Sequence, residues 1–576
     1  LCQAPTGIGK SMSVLFPALK SMGNESVGPI FYLTARGTTR TAAENALAIL
    51  RDTEPELHLR SVTLTAKDKI CLCETRECTP EACPYANGYY ARIKGALWDV
   101  LDVPCLTAET LQEYAERHTV CPFELGLDSS LWSDVIIGDY NYLFDPVVHL
   151  VRFFESAGDY IFLVDEAHNL PGRAREMHSA ALTKTSFYEA KKLLGKGKSS
   201  LKNALTKVND VFIEWRHRAE EETAARDGRF GKTFFLKERS EEFDHLLNRL
   251  CEPLEAWLDD HREPDETHTA LLQLYFDVRA WLRVADTFDD HFVLQITASG
   301  SEVRAAQLCL DPSAFLADSF ALGRAAVLFS ATLAPASYYK DLCGVPEARA
   351  VALRSPFPAG NQGLFCIGNV STRYKDRDAS LAIVAESLAT MVRARCGNYL
   401  AFFPSYAYME QAYAQFKEHC PEINCIKQEN AMDEQQKAAF LAQFVPGPSQ
   451  PLLGFAVMGG VFGEGVDLTG DRLIGVGIVG PGLPQVGPRQ EQLRDYFEQT
   501  RGSGFDYAYR YPGMNKVLQA AGRVIRTPRD KGVVLLIDNR FAMPDYRRLM
   551  PPHWSHLKMI YDTEKLEREL WRFWEE

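Results

Sequence analysis

The chain has 576 residues, 46% hydrophobic and 24% charged, with a formal net charge of −13 and 14 cysteines. No run approaches the ~18 uninterrupted apolar residues of a membrane helix. The acidic total speaks against simple nucleic-acid coating, though not against a locally positive groove, and thinly spread cysteines point to a reducing cytoplasm rather than a secreted disulfide framework.

At about 150 residues per domain, this length makes roughly four structural units. Leu1 and Cys2 read as the end of a strand cut short, so a truncated N-terminus is expected. Next comes Ala4-Pro-Thr-Gly-Ile-Gly-Lys-Ser11, in phosphate-loop spacing, with Ala4 at the usual first glycine. Across Pro5, Thr6, Gly7, Ile8 and Gly9, the glycines let backbone N–H groups approach phosphate oxygens. Lys10 reaches the β- and γ-phosphates, the Ser11 hydroxyl suits Mg²⁺, and the positive end of a helix faces the anion. Short apolar runs at 29–33, 135–137 and 161–164 read as buried strands, and 43–51 as a helix between them.

Residues 71–121 break this rhythm with Cys71, Cys73, Cys78, Cys83, Cys105 and Cys121 among prolines and charges. Six cysteines in one insertion are better explained as thiolate ligands than as core residues; Zn²⁺ and an Fe–S cluster both fit, and spacing alone does not decide. The aromatic stretch 139–145 contains Tyr140 and Tyr142. At 161–168 the strand ends in Asp165-Glu-Ala-His168, with Asp165 suited to the Mg²⁺ shell and Glu166 to orienting an attacking water. Residues 172–290 have no convincing buried strand and read as a charged helical insertion. Lys191, Lys192, Lys196, Lys198, Lys202 and Lys207 form a basic patch there.

Strands recur at 326–329, 399–403, 473–479 and 532–537, with a helix at 381–395, making a second α/β lobe from about residue 355. On a helix, Gln519, Arg523 and Arg526 fall on one face, and arginines there suit charge developing on a γ-phosphate.

The joint order of 4–11, Asp165–His168, Ser330-Ala-Thr332, 398–405, 463–468 and 519–526 resembles the iron–sulfur superfamily 2 helicases of the XPD/DinG group, from end to end. The resemblance implies two RecA-like lobes with a four-cysteine insertion and a helical arch inserted in the first. The boundaries are 1–70, 126–171 and 291–354 for lobe one, 71–125 for the cluster domain, 172–290 for the arch and 355–576 for lobe two. It implies a [4Fe–4S] cluster on Cys71, Cys78, Cys83 and Cys121, with Cys73 and Cys105 spare. Ser330 and Thr332, with His168, would couple hydrolysis to lobe movement. Gly465, Asp467 and Gln519 would face ATP, and Arg523 and Arg526 would complete the closed site. Tyr140, Tyr142, Phe403, Ser405 and Tyr406 would be DNA-contact residues.

The implied activity is ATP-dependent, 5′-to-3′ unwinding by a cytoplasmic, monomeric motor on single-stranded or forked DNA in repair or replication. RNA–DNA hybrids are a further substrate, and no membrane is involved. The family's upstream adenine-contacting glutamine motif is not in this sequence. Rival readings are a translocase that strips proteins or hybrids, the motor of a nuclease-helicase, and a non-catalytic metal-stabilised binding module.

Overall fold

The structure, a computed structural model, describes residues 1–24, 27–35, 37–197, 199–225, 231–263, 265–460, 462 and 468–575. Two parallel sheets organise it. The first has eight strands, in the order Val351–Ala352, Cys2–Gln3, Ala325–Ser330, Ile161–Asp165, Ile30–Thr34, Val135–Asp139, Ser61–Thr63 and Cys105–Leu106. The second has seven, in the order Asn424–Lys427, Leu452–Val457, Asn398–Phe403, Gly475–Val479, Gly532–Ile537, Gln362–Ile367 and Lys558–Ile560. The central strands of both are buried along their whole length, as in Ile161–Asp165 and Gly532–Ile537. Strands covered by helices on both faces need apolar side chains at every position, hence the continuous runs in the sequence. The C-terminal ends of the first sheet's strands carry the phosphate loop, Asp165 and Ser330 to one edge, where open α/β sheets bind ligands.

The helical insertion differs from expectation. It holds a four-stranded antiparallel sheet ordered Ala180–Thr183, Glu302–Cys309, Phe292–Ser299 and Lys232–Leu236. Helices Ser200–Ala225, Glu241–Asp260 and Glu266–Asp286 enclose a core with it around Phe212, Trp215, Phe234, Phe243 and Trp281. Phe292–Ser299 buries alternate residues towards its end, a two-residue period that a search for continuous apolar runs passes over. The last two strands lie beyond residue 290, so this sheet reaches Cys309, past the expected end of the insertion. Lys202 is not part of an exposed basic patch. It is buried, and its ammonium donates to the carbonyl oxygens of Gly195 and Gly197.

In the cysteine-rich region, helices Tyr89–Val100, Ala108–His118 and Pro122–Ser129 anchor on the first lobe through Ile93, Leu111, Ala115 and Leu125. Residues 71–88 form turns and coil, without helix or strand.

Candidate active site

The phosphate loop leaves strand Cys2–Gln3 and enters helix Lys10–Asn24. Gly7 and Gly9 have φ of 81° and 73°, in the left-handed region that favours glycine. The second lobe presses on this loop. A Cβ at Gly7 would lie 2.0 Å from the Arg526 carbonyl oxygen, and Thr6 Oγ1 donates to the Gly522 carbonyl oxygen at 2.8 Å. A cavity of about 450 Å³ adjoins the loop between the lobes, lined by Pro5, Thr6, Thr332, Phe357, Gly522 and His553 among others.

Asp165 ends its strand in a buried position. It accepts hydrogen bonds from the Tyr32 hydroxyl (2.6 Å, Oδ2) and the Glu166 N–H (2.8 Å, Oδ1). The Tyr32 hydroxyl also lies 3.0 Å from Ser11 Oγ, so Ser11 and Asp165 face one another across one phenol. Two hard oxygen donors so placed fit a Mg²⁺ shell. Burial, followed by the neighbouring Glu166 charge, pushes the Asp165 carboxyl up to about 6. Tyr32 was missed in the sequence; it sits in an apolar strand with no motif to mark it.

Glu166 takes φ 48°, unusual for a residue with a Cβ. Its Oε1 lies 3.7 Å from Lys10 Nζ, and its Oε2 accepts from Ser330 Oγ at 2.9 Å. Burial raises its pKa. The His168 hydrogen bond, the Lys10 ammonium and Ser330 outweigh burial and hold the carboxylate well below its usual range.

His168 joins the lobes. Its Nδ1 is 2.7 Å from Ser330 Oγ and its Nε2 is 2.5 Å from Gln519 Nε2. One assignment fits these distances: Gln519 N–H to His168 Nε2, His168 Nδ1–H shared between Ser330 Oγ and Glu166 Oε2 at 3.3 Å, and Ser330 O–H to Glu166. A hydrogen-bonded relay thus runs from the second lobe to the carboxylate beside Lys10. The buried Thr332 donates its N–H to Ser330 Oγ at 3.3 Å.

Gln519 lies on helix Tyr511–Ala521, but that helix stops there, correcting the expectation of one arginine-bearing face. Gly522 opens a turn, and Val524 and Ile525 turn into the second lobe's core. Arg523 and Arg526 therefore come from a turn against the phosphate loop. Gly465 and Asp467, like Lys198, lie outside the described residues.

Three expected DNA contacts are core residues instead. Tyr140 is fully buried and its hydroxyl donates to the Asp165 carbonyl oxygen; Tyr142 packs in the same core. Phe403 is fully buried and stacks on Phe455 at 5.7 Å. Phe403 ends a buried strand, Tyr140 follows the end of strand Val135–Asp139, and Tyr142 lies in the short helix Asn141–Phe144 that continues from it. Tyr406 is half-buried and its hydroxyl accepts from Gln428 Nε2 at 2.6 Å. Ser405 Oγ accepts the Tyr408 N–H and so caps helix Tyr406–His419. Ser405→Ala is expected to cost about 1 kcal/mol in a denaturant midpoint.

Cys73 and Cys83 approach to 3.8 Å between sulfurs, and Cys78 is exposed. The Lys67 ammonium lies beside Cys78 and Cys121 and over the Phe123 ring at 5.4 Å. Cys105 sits in the edge strand Cys105–Leu106. Among the described residues, no group of three or more His, Cys, Asp or Glu is arranged to hold a metal ion.

Residues 54–187 match the DEAD_2 family and residues 388–557 the helicase C-terminal domain family. The chain is 24% identical over 77% of its length to the Schizosaccharomyces pombe general transcription and DNA repair factor IIH helicase subunit XPD, covering 67% of it. It is 22% identical over 78% of its length to the Coccidioides immitis ATP-dependent DNA helicase CHL1, covering 60% of it. It is 21% identical over 98% of its length to the human regulator of telomere elongation helicase 1, covering 57% of it. The chain thus spans about half to two thirds of the length of these curated relatives. In fold it is similar to an XPD helicase structure, with a TM-score of 0.63 at 18% identity over 97% of this chain and 95% of the other. It is also similar to S. tokodaii Xpd4, with a TM-score of 0.60 at 14% identity over 97% and 95%. Matches to both halves and a likeness that runs from end to end agree that the chain belongs to the XPD/DinG-like helicase family.

Proposed function

We propose that this chain is an ATP-driven DNA helicase motor that moves 5′ to 3′ on single-stranded DNA and opens duplex or forked DNA. The observation that carries the reading is the relay Gln519–His168–Ser330–Glu166, which ties the second lobe to the carboxylate facing Lys10.

Backbone N–H groups of the loop around Gly7 and Gly9 cradle the phosphates, and Lys10 draws the γ-phosphate. Ser11 and Asp165 would hold Mg²⁺, which supplies neutralising charge. Glu166, kept ionised, orients water in line and accepts its proton. Arg523 and Arg526 meet the γ-phosphate charge. The interlobe cavity has room for the nucleoside. When the γ-phosphate leaves, the pull on the arginines is lost, the relay loosens and the lobes part. Lobe motion then advances the strand through contacts with backbone and base faces, which leaves little sequence preference.

Cys71, Cys78, Cys83 and Cys121 supply soft thiolate donors that fit a [4Fe–4S] cluster. Such a cluster would cross-link residues 71–88, which lack regular structure, to the helix that begins at Pro122. Cys121→Ser is expected to lose bound iron and visible absorbance and to lose unwinding, while DNA-independent ATP hydrolysis persists. Unchanged iron content would remove Cys121 from the ligand set. RNA–DNA hybrids and forks are the proposed substrates of a monomeric cytoplasmic motor. No helix of the described residues is long and apolar enough to cross a membrane.

The test is ATP hydrolysis with and without single-stranded DNA. Stimulation by DNA that disappears in Lys10→Ala supports the motor; hydrolysis indifferent to DNA contradicts it.

A further inference from the structure

Helix Pro488–Arg501 belongs to the second lobe by sequence, yet its Leu493 and Phe497 are buried in the first lobe's core. Its Tyr496 reaches the base of the antiparallel insertion. The Tyr496 hydroxyl lies 2.6 Å from His291 Nδ1 and donates to Asp311 Oδ2 at 3.5 Å. His291 and Asp311 bracket the hairpin Phe292–Ser299/Glu302–Cys309, one at its entry and one at its exit. Arg501 adds a contact at 3.9 Å to the buried Asp311.

Two helical paths connect this point to the nucleotide site. In the first lobe, helix Leu170–Met177 follows directly after His168. Its Arg175 donates to the Leu310 carbonyl oxygen at 2.8 Å and lies over the Phe497 ring at 5.7 Å. In the second lobe, the chain runs from Tyr496 through a π-helical turn, Asp506–Arg510, into helix Tyr511–Ala521, which carries Gln519. Mid-path, Tyr507 donates to Asp341 and Asn515 to the Tyr339 hydroxyl. The paths meet at one end through Gln519 and His168 and at the other through Phe497, Tyr496 and the hairpin base. A π-helical turn within such a path is a common mark of a functional site.

We infer that Tyr496 is a positioning residue that latches the hairpin base of the insertion to the second lobe, so that nucleotide-driven lobe movement is transmitted to the insertion. The inference rests on the proposed motor, and coupling of this kind requires an element whose arrangement both sites bias.

The test compares full-length wild type and Tyr496→Phe, which keeps the ring and removes the hydroxyl, by hydrogen–deuterium exchange over residues 289–311, with and without ADP–beryllium fluoride. Without nucleotide, exchange there is expected to rise about fivefold in the variant, the effect of one lost hydrogen bond. With nucleotide, wild type changes its protection and the variant does not. Basal ATP hydrolysis stays near wild type, while ATP consumed per base pair opened rises. His291→Gln, whose amide N–H can still donate to the Tyr496 hydroxyl, should behave as wild type, and His291→Leu as Tyr496→Phe. Equal exchange in wild type and Tyr496→Phe overturns the latch. A wild type that hydrolyses ATP without any nucleotide response at residues 289–311 overturns the coupling. A wild type that hydrolyses no ATP contradicts the motor instead, and the nucleotide-free comparison still decides whether Tyr496 holds the hairpin.

Discussion

Glu166→Gln is expected to slow ATP hydrolysis about 10²–10⁴-fold, the usual contribution of a positioned general base, while nucleotide still binds. Glutamine keeps the shape and can still accept from Ser330, so the relay to His168 and Gln519 survives in outline. It cannot take a proton from water, and it removes the negative charge facing Lys10 at 3.7 Å. With Lys10 released from that charge, its ammonium turns wholly to phosphate, so affinity holds or rises. Steady-state turnover beside equilibrium binding of a fluorescent ATP analogue separates the two effects. A fall of less than about tenfold would take the base role away from Glu166.

Asp538→Asn is expected to destabilise the second lobe by about 3–5 kcal/mol, the range for breaking one side of a buried ion pair. Asp538 is fully buried after strand Gly532–Ile537. It accepts from the Thr372 N–H (3.0 Å), the Arg540 N–H (2.7 Å) and Arg540 Nε and Nη2 (2.8 Å each). Asparagine can take some of these donors but leaves the Arg540 cation uncompensated. Burial alone would raise the Asp538 pKa; the Arg540 and Thr372 bonds outweigh it and hold the carboxyl below its ordinary value. A depressed carboxylate stabilises fully above its unfolded pKa of about 3.9, and that stability is lost as pH falls through the folded value. Denaturant midpoints should therefore separate the variant from wild type at neutral pH and converge in acid. A difference under about 1 kcal/mol at neutral pH would contradict this account.

What was legible in the sequence follows from physics that acts locally. Gly7 and Gly9 announce a backbone that needs left-handed φ, and four apolar residues before Asp165 announce a strand buried on both faces. The antiparallel sheet of the insertion was hidden because Gln295 and Thr297 interrupt the apolar pattern of Phe292–Ser299, which pairs with the adjacent Glu302–Cys309 on one side and the distant Lys232–Leu236 on the other. Arg523 and Arg526 do not share a helical face with Gln519, since a helical wheel assumes a helix, and this one ends at Ala521. Tyr140 and Phe403, expected as DNA contacts from the resemblance, are buried, and a strand end looks alike in sequence whether its ring faces inward or outward. Tyr32 bridges Ser11 and Asp165 only because two strands distant in sequence lie side by side, Ile30–Thr34 pairing with Ile161–Asp165. The cysteines stand out in sequence by number and setting, but their roles depend on how residues 71–88 wrap, where Cys73 and Cys83 approach to 3.8 Å and, among the described residues, no group of three or more ligand side chains is assembled.

The most direct measurement is strand separation of matched 5′-tailed and 3′-tailed duplexes with ATP, using anaerobically purified protein and Lys10→Ala beside it. The account predicts that the 5′-tailed duplex opens, the 3′-tailed duplex does not, and Lys10→Ala opens neither. A protein that hydrolyses ATP on DNA yet separates neither duplex would contradict it.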